Sequence, residues 1–208
     1  ACAPFRRLSL CNKNMEKKGT TKIKDKNDLL AEVCMAANYE AQSLIPYHDQ
    51  YVAKYGDFGF SMCTMLARSF ADIGDIVRGK DLYFGKKKKK KQKQKQKEKI
   101  EENLKKIFAK IHENLGIQEK NHYNVDKDPN YYQLREDWWT ANRETIWEAL
   151  TCDEENKLGG NAYFRTTCSD NRGGAQANDK CRCPNGNNQV PTYFDYVPQY
   201  LRWFEEWA

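Results

Sequence analysis

At 208 residues, with 39% hydrophobic and 12% aromatic side chains, the chain is long enough for one sizeable core, and its composition excludes wholesale disorder. A mean hydropathy of −0.94 leaves much of it as solvated surface or loop. The formal charge of +6 suggests a polyanion partner until it is located: residues 86–99 hold ten lysines and one glutamate, so the remainder is net acidic and the fold itself is not basic.

Eight cysteines, Cys2, Cys11, Cys34, Cys63, Cys152, Cys168, Cys181 and Cys183, point to an oxidising, extracellular compartment. A zinc site needs paired Cys or Cys and His ligands, and Cys181-x-Cys183 has no nearby histidine, so no metal and no other cofactor is expected. No run of about 18 apolar residues is present to span a bilayer, and no signal peptide opens the chain. Together with the cysteines, this implies a piece of a larger exported protein, with no direct membrane insertion by this stretch. No asparagine sits in an N-x-Ser/Thr sequon.

Residues 1 to about 25 lack sustained periodicity and read as an irregular, disulfide-stapled segment. Asn27 or Asp28 then offers an N-cap. Leu30, Val33, Cys34, Ala37 and Ala41 follow at helical spacing, and Ile45-Pro46 closes that first helix. After Gly56 and Gly59, a second helix places Phe60, Cys63, Ala67, Phe70, Ile73 and Val77 on one face and ends near Gly79, with Gly74 as a weak point inside it. The run KKKKKKQKQKQKEK has no apolar residue to pack with, and a mobile loop, helical at most towards its end, is expected.

In the third helix Ile100, Leu104, Ile107, Ile111 and Leu115 form one stripe, Phe108 widens it and Gly116 stops it, while Glu101–Lys105 and Glu102–Lys106 pair at i, i+4. A fourth helix after Pro129 carries Leu134, Trp138, Ala141, Thr145, Ala149 and Cys152 on one side and Trp139, Ile146 and Leu150 on an adjacent arc. Such a wide arc implies burial between two neighbours, with Trp138 and Trp139 in the core and Trp147 as a candidate exposed aromatic. Residues 153–189 are rich in Gly, Asn and Asp and read as loop held by cysteines. Pro198 then opens a last helix with Val197, Leu201, Phe204 and Ala208 on its apolar line.

Nothing in the chain nominates a catalytic centre: His48, His112 and His122 lack a nucleophile or orienting partner, and no glycine-rich loop has phosphate-binding spacing. The expectation is a non-enzyme. The lysine run has a bland reading, a solvated insertion, and a sharper one, a polyanion-binding arm whose capture of sulfated glycans would be salt-sensitive. On the sharper reading the ligand-binding residues are Lys86, Lys87, Lys88, Lys89, Lys90, Lys91, Lys93, Lys95, Lys97 and Lys99. Nucleic acid as a partner conflicts with the cysteines.

Six strings carry a specific resemblance: CAPFRRLSLC at 2–11, GFSMCTMLARSFADIGDIVRGKDLY at 59–83, ENLKKIFAKIHENL at 102–115, REDWWTANRETIWEALTC at 135–152, KCRC at 180–183 and VPTYFDYVPQYLRWFEEWA at 190–208. In this order and spacing the chain resembles the alpha-class Duffy-binding-like domains of Plasmodium falciparum erythrocyte membrane protein 1 variants. The resemblance implies an all-α, disulfide-stapled helix bundle with long loops, incomplete at both ends. It also implies a division into the end of an irregular subdomain 1 (1–25), a helix-bundle subdomain 2 (26–155) with the lysine-rich loop 86–99, and the start of subdomain 3 (156–208).

By the same resemblance Cys63 bonds Cys152, Cys2 and Cys11 find partners upstream, and one of Cys181 or Cys183 finds a partner downstream. The implied function is host-cell adhesion on the extracellular face of the infected erythrocyte, as part of a larger membrane-anchored protein. Its partners would be red-cell or endothelial glycans or receptor proteins, as in rosetting or cytoadherence, and host antibodies. The alternative is a structural and antigenic spacer whose neighbours carry the adhesion.

Overall fold

The structure is a computed structural model that describes residues 2–17, 23, 25–56, 61–83, 90–152, 158, 163, 165–170, 173–184 and 190–208. Among the described residues it is all-α apart from one short hairpin and an isolated bridge between Asp179 and Arg182. In chain order the helices are α1 (Phe5–Leu8), α2 (Lys13–Lys17), α3 (Lys26–Tyr55), α4 (Met62–Arg78), α5 (Lys90–Glu113), α6 (Ile117–His122), α7 (Tyr132–Leu150) and α8 (Gln199–Trp207). Strands β1 (Cys168–Asp170) and β2 (Gly173–Ala175) pair antiparallel with Cys168 opposite Ala175, and a 3₁₀ turn spans Phe194–Tyr196.

The α3 helix starts two residues before the expected cap, because the Asp25 carboxylate accepts the N–H groups of Asn27 at 2.8 Å and Asp28 at 3.0 Å. It also runs through Pro46 to Tyr55 instead of closing at Ile45. Proline removes the donor to the Gln42 carbonyl, but Gln42 and Pro46 are both exposed, so water can satisfy that carbonyl. Its inner face, Leu29, Val33, Ala36, Ala37, Ala41 and Leu44, is small-residue rich and packs on α4 and α7.

Helix α4 is the axis of the molecule. Cys63, Ala67, Phe70, Ile73 and Val77 are buried as their spacing requires; Phe60 lies outside the described residues. The opposite side is buried too, and it carries Arg68, Asp72, Asp75 and Arg78. Gly74 is where Trp139 of α7 crosses, so that a Cβ there would lie 2.7 Å from Trp139 Cζ2. Gly79 closes the helix at φ 74°, the left-handed C-terminal position that favours glycine.

Helix α5 begins at Lys90, so its helical geometry extends well before Ile100 into the lysine run; Lys86–Lys89 lie outside the described residues. Ile100, Leu104, Ile107, Phe108 and Ile111 are buried. Glu102 pairs with Lys106 at 2.5 Å as its spacing predicts, whereas Glu101 is taken by Arg135 of α7 at 2.5 Å and 2.9 Å. The buried arc of α7 is Leu134, Arg135, Trp138, Trp139, Ile146, Trp147 and Leu150, while Ala141, Thr145 and Cys152 are exposed. Trp147 is therefore core and not an exposed aromatic: its ring meets Phe70 edge-on at 5.3 Å and its Nε1–H donates to the Cys181 carbonyl at 3.0 Å.

That hydrogen bond bears on the disulfides. Cys63 bonds Cys181, and Cys168 bonds Cys183. The implied Cys63–Cys152 pair is thus corrected, as is a downstream partner for Cys181 or Cys183. Cys63 is fully buried in the first turn of α4, and the 180–183 turn is held against it by Trp147 and by Arg182, which donates to the Glu148 carbonyl at 3.0 Å and to Thr151 Oγ1 at 2.9 Å. Cys152 emerges past the end of α7, exposed and outside any disulfide.

The last helix is turned over relative to expectation. Gln199, Arg202 and Trp203 face inward, and Leu201 and Phe204 face solvent. The reason is a set of acceptors on α4 and just beyond its end: Arg202 pairs with Asp72 at 2.9 Å and with Asp75, and the Gln199 amide donates to Asp72 at 3.0 Å and to Asp81 at 2.9 Å. From the other end of the chain Arg6 joins the same carboxylate, 2.7 Å from Asp72 and 2.9 Å from Glu206 of α8. Burial alone would raise the Asp72 carboxyl, but Arg6, Arg202 and Arg7 more than offset it and hold it below the usual carboxylate range.

Candidate ligand-binding surface

Where α1, α2, α4 and α5 meet, the chain leaves a cleft of about 690 Å³. It lies at the foot of the lysine-bearing half of α5, and Lys97 lines it together with Arg7, Lys13, Asp81, Tyr83 and Tyr132. The Arg7 guanidinium grips both Asp81 oxygens, at 2.6 Å and 3.2 Å, and lies 4.8 Å from the centre of the Tyr83 ring. Lys97 Nζ donates to the Asp81 carbonyl at 2.5 Å, which ties the lysine-bearing helix to the 79–83 turn. Across the cleft, Arg135 is fully buried, donates to the carbonyls of Val77 at 2.6 Å and Ile76 at 3.3 Å, and stacks on Tyr132 at 5.5 Å.

Of the lysines nominated from sequence, Lys97 lines the cleft and Lys99 is exposed on α5. Lys90, Lys91, Lys93 and Lys95 belong to the helix as backbone, and Lys86 to Lys89 lie outside the described residues. Arg7, Lys13, Tyr83 and Tyr132 were not legible as site residues. They come from segments far apart in sequence, and contacts such as Arg7–Asp81, Lys97–Asp81 and Arg135–Tyr132 help bring them to one place. This arrangement offers cationic groups beside aromatic faces, suited to polyanion or sugar recognition and without a nucleophile–base pair.

Among the described residues no group of three or more His, Cys, Asp or Glu side chains is placed to hold a metal ion. His112 spends its Nε2 on the Tyr123 carbonyl at 2.9 Å. Burial and then Glu148 push the Cys34 thiol up to about 11, and burial with Glu40 raises Cys11, which leaves both as poor nucleophiles at neutral pH. Among the described helices none is long and apolar enough to cross a membrane.

Residues 1–202 match the Duffy binding domain family. The chain is similar to the NTS-DBL1(alpha-1) domain of Plasmodium falciparum membrane protein 1 (PfEMP1) from the varO strain, with 39% identity and a TM-score of 0.73, covering 100% of this chain and 43% of that one. Against the varO NTS-DBL1-alpha and CIDR-gamma double domain the identity is again 39% and the TM-score 0.76, over 100% of this chain and 27% of the other. A PfEMP1 DBLb domain bound to human ICAM-1 matches at 27% identity and a TM-score of 0.64, over 97% of this chain and 38% of that one. The chain thus spans less than half the length of these solved chains. No curated protein matches it significantly.

Proposed function

Because the chain belongs to the Duffy binding domain family, we propose that it is a host-receptor adhesion module, displayed on the infected erythrocyte as part of a larger membrane-anchored protein. The observation that carries this reading is the match along residues 1–202, together with a related domain solved on human ICAM-1. Binding at a rigid surface is the mode that the geometry favours. Helices locked by buried ion pairs and two disulfides present a cleft lined with cations and tyrosines, and the reading assigns no catalytic step to any residue.

Within that module the lysine run and the cleft at its foot form the contact for sulfated host glycans. The charge density of the lysine run attracts sulfates from a distance, and Lys97, Lys13 and the Tyr83 and Tyr132 rings give a captured sugar something shaped to rest on. The division at residues 25 and 155 follows the same reading, with the cleft at the junction of the first two parts.

The test compares the disulfide-intact chain with a variant carrying glutamine at Lys86–Lys91, Lys93 and Lys95, on immobilised heparin and on red cells over a salt series. Wild-type binding should fall steeply with salt and the variant should lose most of it. Equal binding by the two proteins would remove the glycan role from this segment, and red-cell binding that persists at high salt would place the receptor contact elsewhere on the helical surface.

A further inference from the structure

A second groove lies on the opposite side of the N-terminal segment, between α1, α3 and the end of α8. Its volume is about 200 Å³, and Phe5, Tyr47, Tyr51 and Trp207 are among the residues that wall it. Phe5 and Trp207 meet edge-on at 6.0 Å while both rings stay largely exposed, and the Trp207 Nε1–H is fixed by the Cys2 carbonyl at 2.8 Å. Exposed aromatics held this rigidly cost little side-chain entropy when a partner covers them.

Arg68 of α4 also lines this groove and sets its chemistry. Its side chain is recessed, with the residue only 8% exposed, and its Nε has no hydrogen-bond partner among the described residues. The carboxylate in the groove lining, Glu206, is engaged by Arg6, which donates to both of its oxygens, at 3.1 Å and 2.9 Å. A recessed guanidinium whose Nε–H lacks an acceptor is under-compensated, and an anion entering the groove beside it would offset that cost.

We infer that this groove is an anchor site for a carboxylate side chain of a partner protein, flanked by an apolar residue that packs on the aromatic walls. The volume supports that choice of ligand: it admits a side chain or two, whereas pockets for larger molecules run from about 300 Å³ upward. The site is separate from the lysine-bearing cleft, so it neither requires nor excludes glycan binding there.

The test uses N-acetylphenylalanine as a probe of the combined carboxylate and aromatic chemistry, with its uncharged amide as the control. Binding to the isotopically labelled, disulfide-intact chain is followed by NMR. The free acid should shift the signals of Arg68, Tyr47 and the Trp207 indole, and the amide should bind at least about tenfold more weakly, as loss of a hydrogen bond to a charged group implies. Arg68→Gln should erase the difference between acid and amide. Should that variant fold poorly, Tyr47→Ala, at an exposed position, should weaken the acid without disturbing the fold. Equal binding of acid and amide, shifts confined to another surface, or no saturable shift with the acid would each overturn the inference.

Discussion

Gly74 to alanine is the sharpest test of the packing described for α4. In an exposed helix this change stabilises by about 1 kcal/mol, because alanine has the higher helix propensity. Here the added Cβ would lie 2.7 Å from Trp139 Cζ2 and 2.8 Å from Cε2. The indole cannot easily retreat: Trp139 is fully buried, tilted against Phe70 at 5.0 Å, and its Nε1–H donates to Asp195 at 2.9 Å. Overpacking of this kind costs about 1–3 kcal/mol, and a shift that broke the bond to Asp195 would add roughly 1.5–3 kcal/mol more. Net destabilisation of about 0–2 kcal/mol is therefore expected, rising to about 2–5 if the indole is displaced. Urea unfolding of the oxidised protein, followed by tryptophan fluorescence, reads it directly. A variant more stable than wild type by about the propensity gain would show that Trp139 does not cross α4 at Gly74.

Three further outcomes follow from the same contacts. Non-reducing peptide mapping should recover Cys63 linked to Cys181 and Cys168 linked to Cys183, with Cys152 outside both; a Cys63–Cys152 peptide would refute the chain path drawn around α4. On α8, Phe204→Ser should change stability by no more than about 0.5 kcal/mol, since the ring is exposed, whereas Trp203→Ala should cost about 3–5 kcal/mol; similar effects at both positions would contradict the orientation of the helix. Burial pushes the Asp75 carboxyl up to about 6, against the pull of Arg202 and Arg78. An acid raised above its unfolded value of 3.8 stabilises the fold while protonated. That contribution is complete below the unfolded value and is lost as the pH rises through about 6. Asp75→Asn should flatten the decline in Tm across that window, and parallel Tm profiles for the two proteins would sink the assignment.

One-sided amphipathic elements were the legible part of this fold. The stripe of Ile100, Leu104, Ile107 and Ile111 is buried as its period requires. Apolar periodicity failed where a helix buries charge. Arg202 and Gln199 look like an outer face until Asp72, Asp75 and Asp81 are brought up from a distant segment, and Arg135 looks solvated until Glu101 and the carbonyls of Ile76 and Val77 surround it. Trp147 was misplaced for a related reason: its partner is a backbone carbonyl at Cys181, which no side-chain pattern reveals. The cleft was half legible. A lysine run announces itself by composition, but Arg7, Tyr83 and Tyr132 acquire a role only through the contacts that converge on Asp81 and Arg135.

The inverted α8 links stability to recognition, and magnitudes decide its orientation. Rolling the helix over would bury Leu201 and Phe204, at roughly 1.5–3 kcal/mol each. The same roll would expose the buried Trp203, strip Asp72 and Asp75 of Arg202 and withdraw the Gln199 amide, and removing one partner of a buried ion pair costs up to about 3–5 kcal/mol. Asp72 would keep Arg6 and Asp75 would keep Arg78, but each would lose one of its cations and the buried Trp203 would be exposed, so the observed face wins although it carries Arg202 and Gln199. The buried ion pairs and Trp203 together thus fix which face of α8 turns inward. What this leaves outside is an aromatic surface, with Phe204 and Trp207 exposed on α8 and Phe5 joined to it through Arg6 and Glu206. For the receptor contact proposed above, this arrangement turns charge inward and leaves aromatic side chains on the surface.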